Sequence, residues 1–73
     1  MSRPILYQAI GEIPSGIEFK PAQKDILDNW LNGNNLFSVG QIASRNLISR
    51  GASRRQIRAL IKLGLVRVWY VNI

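Results

Sequence analysis

Neither cysteine nor histidine occurs in this chain. No disulfide, thiolate zinc site or imidazole metal site can staple the fold, so an apolar core has to hold it alone. That requirement is severe at 73 residues, because a domain of this size buries only roughly 60% of the surface its unfolded chain exposes. A hydrophobic content of 47% is enough for one compact core and unlike the composition of disordered chains, so residues 1–73 are expected to form a single domain. The same two absences remove the commonest general base, and Glu12, Glu18, Asp25 and Asp28 are the only acidic side chains. No enzyme, catalytic residue, metal or cofactor is therefore expected. No apolar run reaches the length of a membrane span or a signal-peptide core, which points to a cytoplasmic protein without membrane contact.

Local signals place the elements. Residues 5–10, rich in branched and aromatic types, predict a strand. Pro14-Ser15-Gly16 marks a turn, and residues 17–19 are expected to form a second short strand. Pro21 suits the first position of a helix over 21–32. Within it Ile26 and Trp30, like Leu27 and Leu31, lie four apart on a buried side, while Asp25 and Asp28 are surface charges and Gly33 is the left-handed cap. Leu36 and Phe37 form a very short strand or staple the next helix. Two capping boxes follow, Ser38-Val39-Gly40-Gln41 and Ser53-Arg54-Arg55-Gln56, each able to satisfy free backbone N–H groups at a helix start. They predict helices over 39–50 and 54–63, parted by Gly51. The first is expected to bury Val39, Ile42, Ala43 and Leu47, the second Ile57, Leu60 and Ile61 before Gly64 ends it. Residues 65–71 read as a strand in need of a partner, and 5–10 is the candidate. The fold class is α+β: three helices and a sheet that joins the two ends of the chain.

Charge is divided unevenly along this order. Residues 1–37 hold three cations against four carboxylates, whereas residues 38–73 hold Arg45, Arg50, Arg54, Arg55, Arg58, Lys62 and Arg67 with no carboxylate at all. So one-sided a segment attracts polyanions, and its preference for arginine suits phosphates and guanine edges. At about 100° per residue, Arg54, Arg55, Arg58 and Lys62 share one side of the helix predicted over 54–63, opposite its apolar stripe. Ala59 is small enough to let the helix approach a groove and touch a thymine methyl. Ser53 and the free N–H groups of the first turn are expected to receive phosphate.

The stretch 38–68 has Ile42-Ala43 in one helix, Ser53 through Leu63 in the next, and Gly64-Leu65-Val66-Arg67-Val68 behind it. In this it resembles the winged helix-turn-helix superfamily. The resemblance implies a recognition helix over 54–63 that enters the major groove of double-stranded DNA, with Arg67 and Trp69 on a wing strand. Any wing is expected to be truncated or completed by the N-terminal strand. Ala43 and Ile57 stand fourteen residues apart, where the compact helix-turn-helix pattern has about ten, so a longer turn or a longer first helix is expected. The implied role is that of a small transcriptional regulator or accessory factor, nucleoid-associated, acting as a homodimer or within a larger complex. The candidate nucleic-acid contacts are Ser53, Arg54, Arg55, Arg58, Ala59, Lys62, Arg67, Arg45 and Arg50. An adaptor that binds an acidic protein partner is the alternative, and RNA binding a third reading.

Overall fold

Tyr7 and Ala9 are buried along β1 (Ile5–Ala9) while Leu6 and Gln8 beside them are not, which gives the strand one core face and one outer face. The computed structural model describes residues 5–70. In it β1 pairs antiparallel with β2 (Val66–Tyr70), in the register Leu6 opposite Trp69, Tyr7 opposite Val68 and Gln8 opposite Arg67. Three helices, α1 (Pro21–Trp30), α2 (Val39–Asn46) and α3 (Arg50–Lys62), lie between the strands in sequence, as the α+β reading expects. Val71, expected to close the last strand, falls outside the described residues. Residues 17–19 form no strand. Instead Phe37 adds a single bridge to the far edge of β1, its N–H donating to Tyr7 O at 3.0 Å and its carbonyl accepting from Tyr7 N at 2.8 Å.

The core lies beneath this sheet. Phe37, fully buried, stacks on Tyr7 at 5.8 Å between ring centroids and meets Trp30 at 5.6 Å. Ile26, Ile42, Ile57, Leu60, Leu65 and Val66 fill the space between the helices and the strands. Among the described residues no helix is long and apolar enough to cross a membrane.

Helix ends explain where the elements stop. At α3 the Gly64 N–H donates to Ile61 O at 3.0 Å and the Leu65 N–H to Leu60 O at 3.0 Å, with Gly64 at a φ of 77°. This double bond pattern needs a left-handed residue, which glycine supplies without steric cost. After α1 the left-handed residue is Asn32 rather than Gly33. Its side-chain amide donates to Gly11 O at 2.9 Å and accepts from Gly11 N at 3.1 Å, and its own N–H reaches Ala9 O at 2.9 Å. Asparagine thus ends the helix and ties it to the end of β1, a function that Gly33 has no side chain to perform.

The second and third helices depart most from expectation. The helix expected over 39–50 stops at Asn46, capped by Leu47 in the left-handed region, and α3 begins at Arg50 behind the N-cap Ser49, whose hydroxyl accepts from Ala52 N at 3.0 Å. Gly51 therefore sits inside α3 rather than between helices. Only residues 47–49 join the two, so the turn is short and α2 is short as well. Counting ten from Ala43 reaches Ser53, not Ile57. Ser53 is fully buried, and its hydroxyl donates to Val39 O of α2 at 2.9 Å. Leu47 and Ile61, both expected to face inward, are exposed, Leu47 at 92%.

Candidate nucleic-acid interface

With α3 capped at Ser49, its inward positions Ser53, Ile57 and Leu60 turn to the core and Arg54, Arg55, Arg58 and Lys62 are left exposed on the opposite side. The four cations form no ion pair and no side-chain hydrogen bond among the described residues. Gly51 precedes Arg55 by one helical turn and Arg58 by two, so the cationic face opens on a position without a side chain. Ala59, half-buried, borders that face. No acidic residue occupies the first turn of α3. Arg50 therefore stands alone at the positive end of the helix dipole, and Arg54, Arg55, Arg58 and Lys62 follow it from the second turn onward with like charges only for neighbours.

The remaining candidates are dispersed. Ser53 is not at a helix start and offers no hydroxyl to a ligand. It lies in the second turn of α3, because Ser49 caps the helix and the Ser53 hydroxyl is already used by α2. Gln56, expected to complete the capping box, accepts from Gln23 Nε2 at 2.8 Å and links α3 to α1. The box at Ser38 does form in part, the hydroxyl accepting from Gln41 N at 3.1 Å.

Arg45 is occupied by the protein itself. Its Nε donates to Asp25 Oδ2 at 2.9 Å and its Nη2 to Asp25 Oδ1 at 2.7 Å, while the guanidinium lies 4.9 Å from the Trp30 ring centroid. Asp25 also accepts from Asn46 at 3.0 Å and from Asn29 at 2.8 Å. The Arg45 hydrogen bonds hold the Asp25 carboxyl below the usual carboxylate range against the opposing effect of desolvation, with Asn46 and Asn29 assisting. The same bonds strengthen the hold of Arg45 on its proton. Asp25 is thus a brace between α1 and α2 rather than a surface charge, and no local pattern announces it, because its partners lie 20 and 21 residues away.

Arg50 rests against α2. A Cβ placed on Gly40 would stand 3.0 Å from Arg50 Nη2, so the guanidinium occupies the space that this glycine leaves open. Arg67 lies on another element altogether, the outer face of the sheet, where its Nε donates to Gln8 Oε1 at 2.8 Å and its guanidinium lies 5.5 Å from the Trp69 ring centroid. Four of the nine candidates thus share one helix face, Ala59 and Arg50 border it, and Ser53, Arg45 and Arg67 do not belong to it. Sequence reasoning missed Gly51 and overlooked Ser49, the competing cap four residues before Ser53 that has no glutamine at the third helical position to advertise it.

Comparison of the chain with protein-family models, with curated protein sequences and with solved structures returns no match.

Proposed function

We propose that this protein binds double-stranded DNA, laying the exposed face of α3 into the major groove, and that it serves as a small transcriptional regulator or accessory factor in the cytoplasm, at the nucleoid. The observation that carries the reading is the exposed row Arg54, Arg55, Arg58 and Lys62, unrelieved by any carboxylate among the described residues. A helix fits a groove about 12 Å wide, and residues near its N-terminus stand nearest the base edges. Arginine there reaches guanine through its fork, and Gly51 lets the backbone approach a phosphate closely. The short turn between α2 and α3, and a strand directly behind α3, support the winged-helix resemblance. In that resemblance the N-terminal strand β1 stands where the second wing strand would be.

The test is fluorescence anisotropy with random and selected duplexes across a salt series. Replacing Arg55, Arg58 and Lys62 together by alanine should weaken binding and flatten the salt slope by about 0.9 for each phosphate that is no longer neutralised, while circular dichroism shows an unchanged fold. An unaltered affinity and slope in a folded variant would sink the proposal. Binding to an acidic protein or to single-stranded RNA without retention of duplex DNA at physiological salt would favour one of the other two readings.

A further inference from the structure

β2 has one edge that nothing among the described residues covers. The far edge of β1 is closed by Phe37 and by the Asn32 N–H on Ala9 O, so the open edge of the sheet belongs to β2. The direction of its free groups follows from the bonds already made. Tyr7 gives both its N–H and its carbonyl to Phe37, hence Tyr7 and Val68 are a non-hydrogen-bonded pair and the N–H and carbonyl of Val68 point away from β1. By alternation those of Val66 and Tyr70 point the same way, and the Ile10 N–H donating to Leu65 O at 2.8 Å confirms the parity. Residues 66–70 contain no proline and no bulge, and their one charged side chain, Arg67, is held by Gln8 and Trp69. Val68 and Trp69 are 38% and 44% exposed.

We infer that this edge pairs with β2 of a second copy of the chain, antiparallel about a two-fold axis through Val68. In that register Val68 exchanges both main-chain hydrogen bonds with Val68 of the second copy, and Val66 does so with Tyr70, which uses every outward-pointing group of the strand. Arg67 then stands opposite Trp69 of the second copy in a close, non-hydrogen-bonded pair, and Trp69 opposite the second Arg67. The guanidinium already lies over the Trp69 ring of its own strand, so it is held on the face where a second ring arrives. Shifting the axis to Arg67 would set two arginines side by side, a pairing that like charge disfavours. Charge therefore disfavours that register, whereas the Val68 axis gives each guanidinium an aromatic ring as its cross-strand partner. The result is an isologous contact that closes on itself and continues the sheet through both copies.

The test uses the full chain in the absence of DNA, so that its outcome is independent of the function proposed above. Sedimentation velocity from micromolar to millimolar protein should show a monomer–dimer equilibrium. The dimer fraction should rise between about 0.05 and 0.5 M salt, because salt screens the repulsion of two copies that each carry excess positive charge. Val68→Pro removes the central N–H without removing any bond inside one copy, and should leave a folded monomer. Trp69→Arg changes an exposed side chain, places arginine opposite arginine, and should also abolish the dimer. The swapped variant Arg67→Trp/Trp69→Arg should recover it. A wild-type chain that stays monomeric throughout, a dimer that survives Val68→Pro or Trp69→Arg, or a swapped variant that remains monomeric would overturn the inference.

Discussion

Leu47 combines two unfavourable features in one residue, a φ of 55° and a side chain 92% exposed. The left-handed conformation costs a branched residue about 1–2 kcal/mol, and an exposed leucine recovers none of this by burial. Leu47→Gly should raise stability by about 0.5–1 kcal/mol after the extra entropy of glycine in the unfolded chain is counted, measured by urea unfolding. The two serines ahead of α3 differ as sharply. Ser49→Asp should be close to neutral, since aspartate is as good an N-cap as serine. Ser53→Asp should cost about 3 kcal/mol or more, because it forces a carboxylate into a fully buried position facing a carbonyl. Were Ser53 the cap, these two outcomes would be exchanged.

Between helices, Asp25 has an influence out of proportion to its place in the sequence. It holds α1 to α2 through Arg45 and Asn46 and binds Asn29 within its own helix. Its carboxyl ionises more readily in the folded chain than in the unfolded one. A depressed folded pKa contributes stability that is complete above the unfolded value, about 3.9, and is lost as pH falls through the lower folded value. Thermal unfolding of Asp25→Asn should therefore begin below wild type at pH 6, and the gap should narrow as pH falls through 4 and below. A gap that stayed constant with pH would show that the brace does not depend on charge. Arg45, paired with Asp25 and lying off the cationic face of α3, belongs to the brace, so Arg45→Ala should lower the thermal midpoint and leave DNA affinity close to wild type.

Over the whole molecule, one aromatic residue joins the parts. Phe37 bridges β1 by its backbone while its ring packs on Tyr7 and Trp30, which links the sheet to α1 and to the start of α2. Phe37→Ala should cost about 3–5 kcal/mol. In a chain of this size a single core rarely supplies more than about 3–5 kcal/mol, so this variant should be largely unfolded near 37 °C by circular dichroism. The remaining cations stay outside that core. With Asp25 matched to Arg45, the uncancelled charge of the second half is carried by α3, its first residue Arg50 included, and by Arg67 on the sheet.

Much of this architecture is decided locally. Pro21, Gly64, the box at Ser38 and the branched and aromatic residues of 5–10 and 65–71 each act over a few residues, and α1, α2 and the two strands begin within a residue of where those signals put them. The cationic row of α3 is equally legible, because Arg54, Arg55, Arg58 and Lys62 keep their helical spacing wherever the helix starts. The start itself was not legible. Ser49 and Ser53 are both competent caps, and the choice between them falls to a contact outside the helix, the Val39 carbonyl that takes the Ser53 hydroxyl once α2 and α3 pack. Asp25–Arg45 and Gln23–Gln56 were hidden for the same reason. Their partners are distant in sequence, and only the packing of three helices against one sheet brings them within bonding distance.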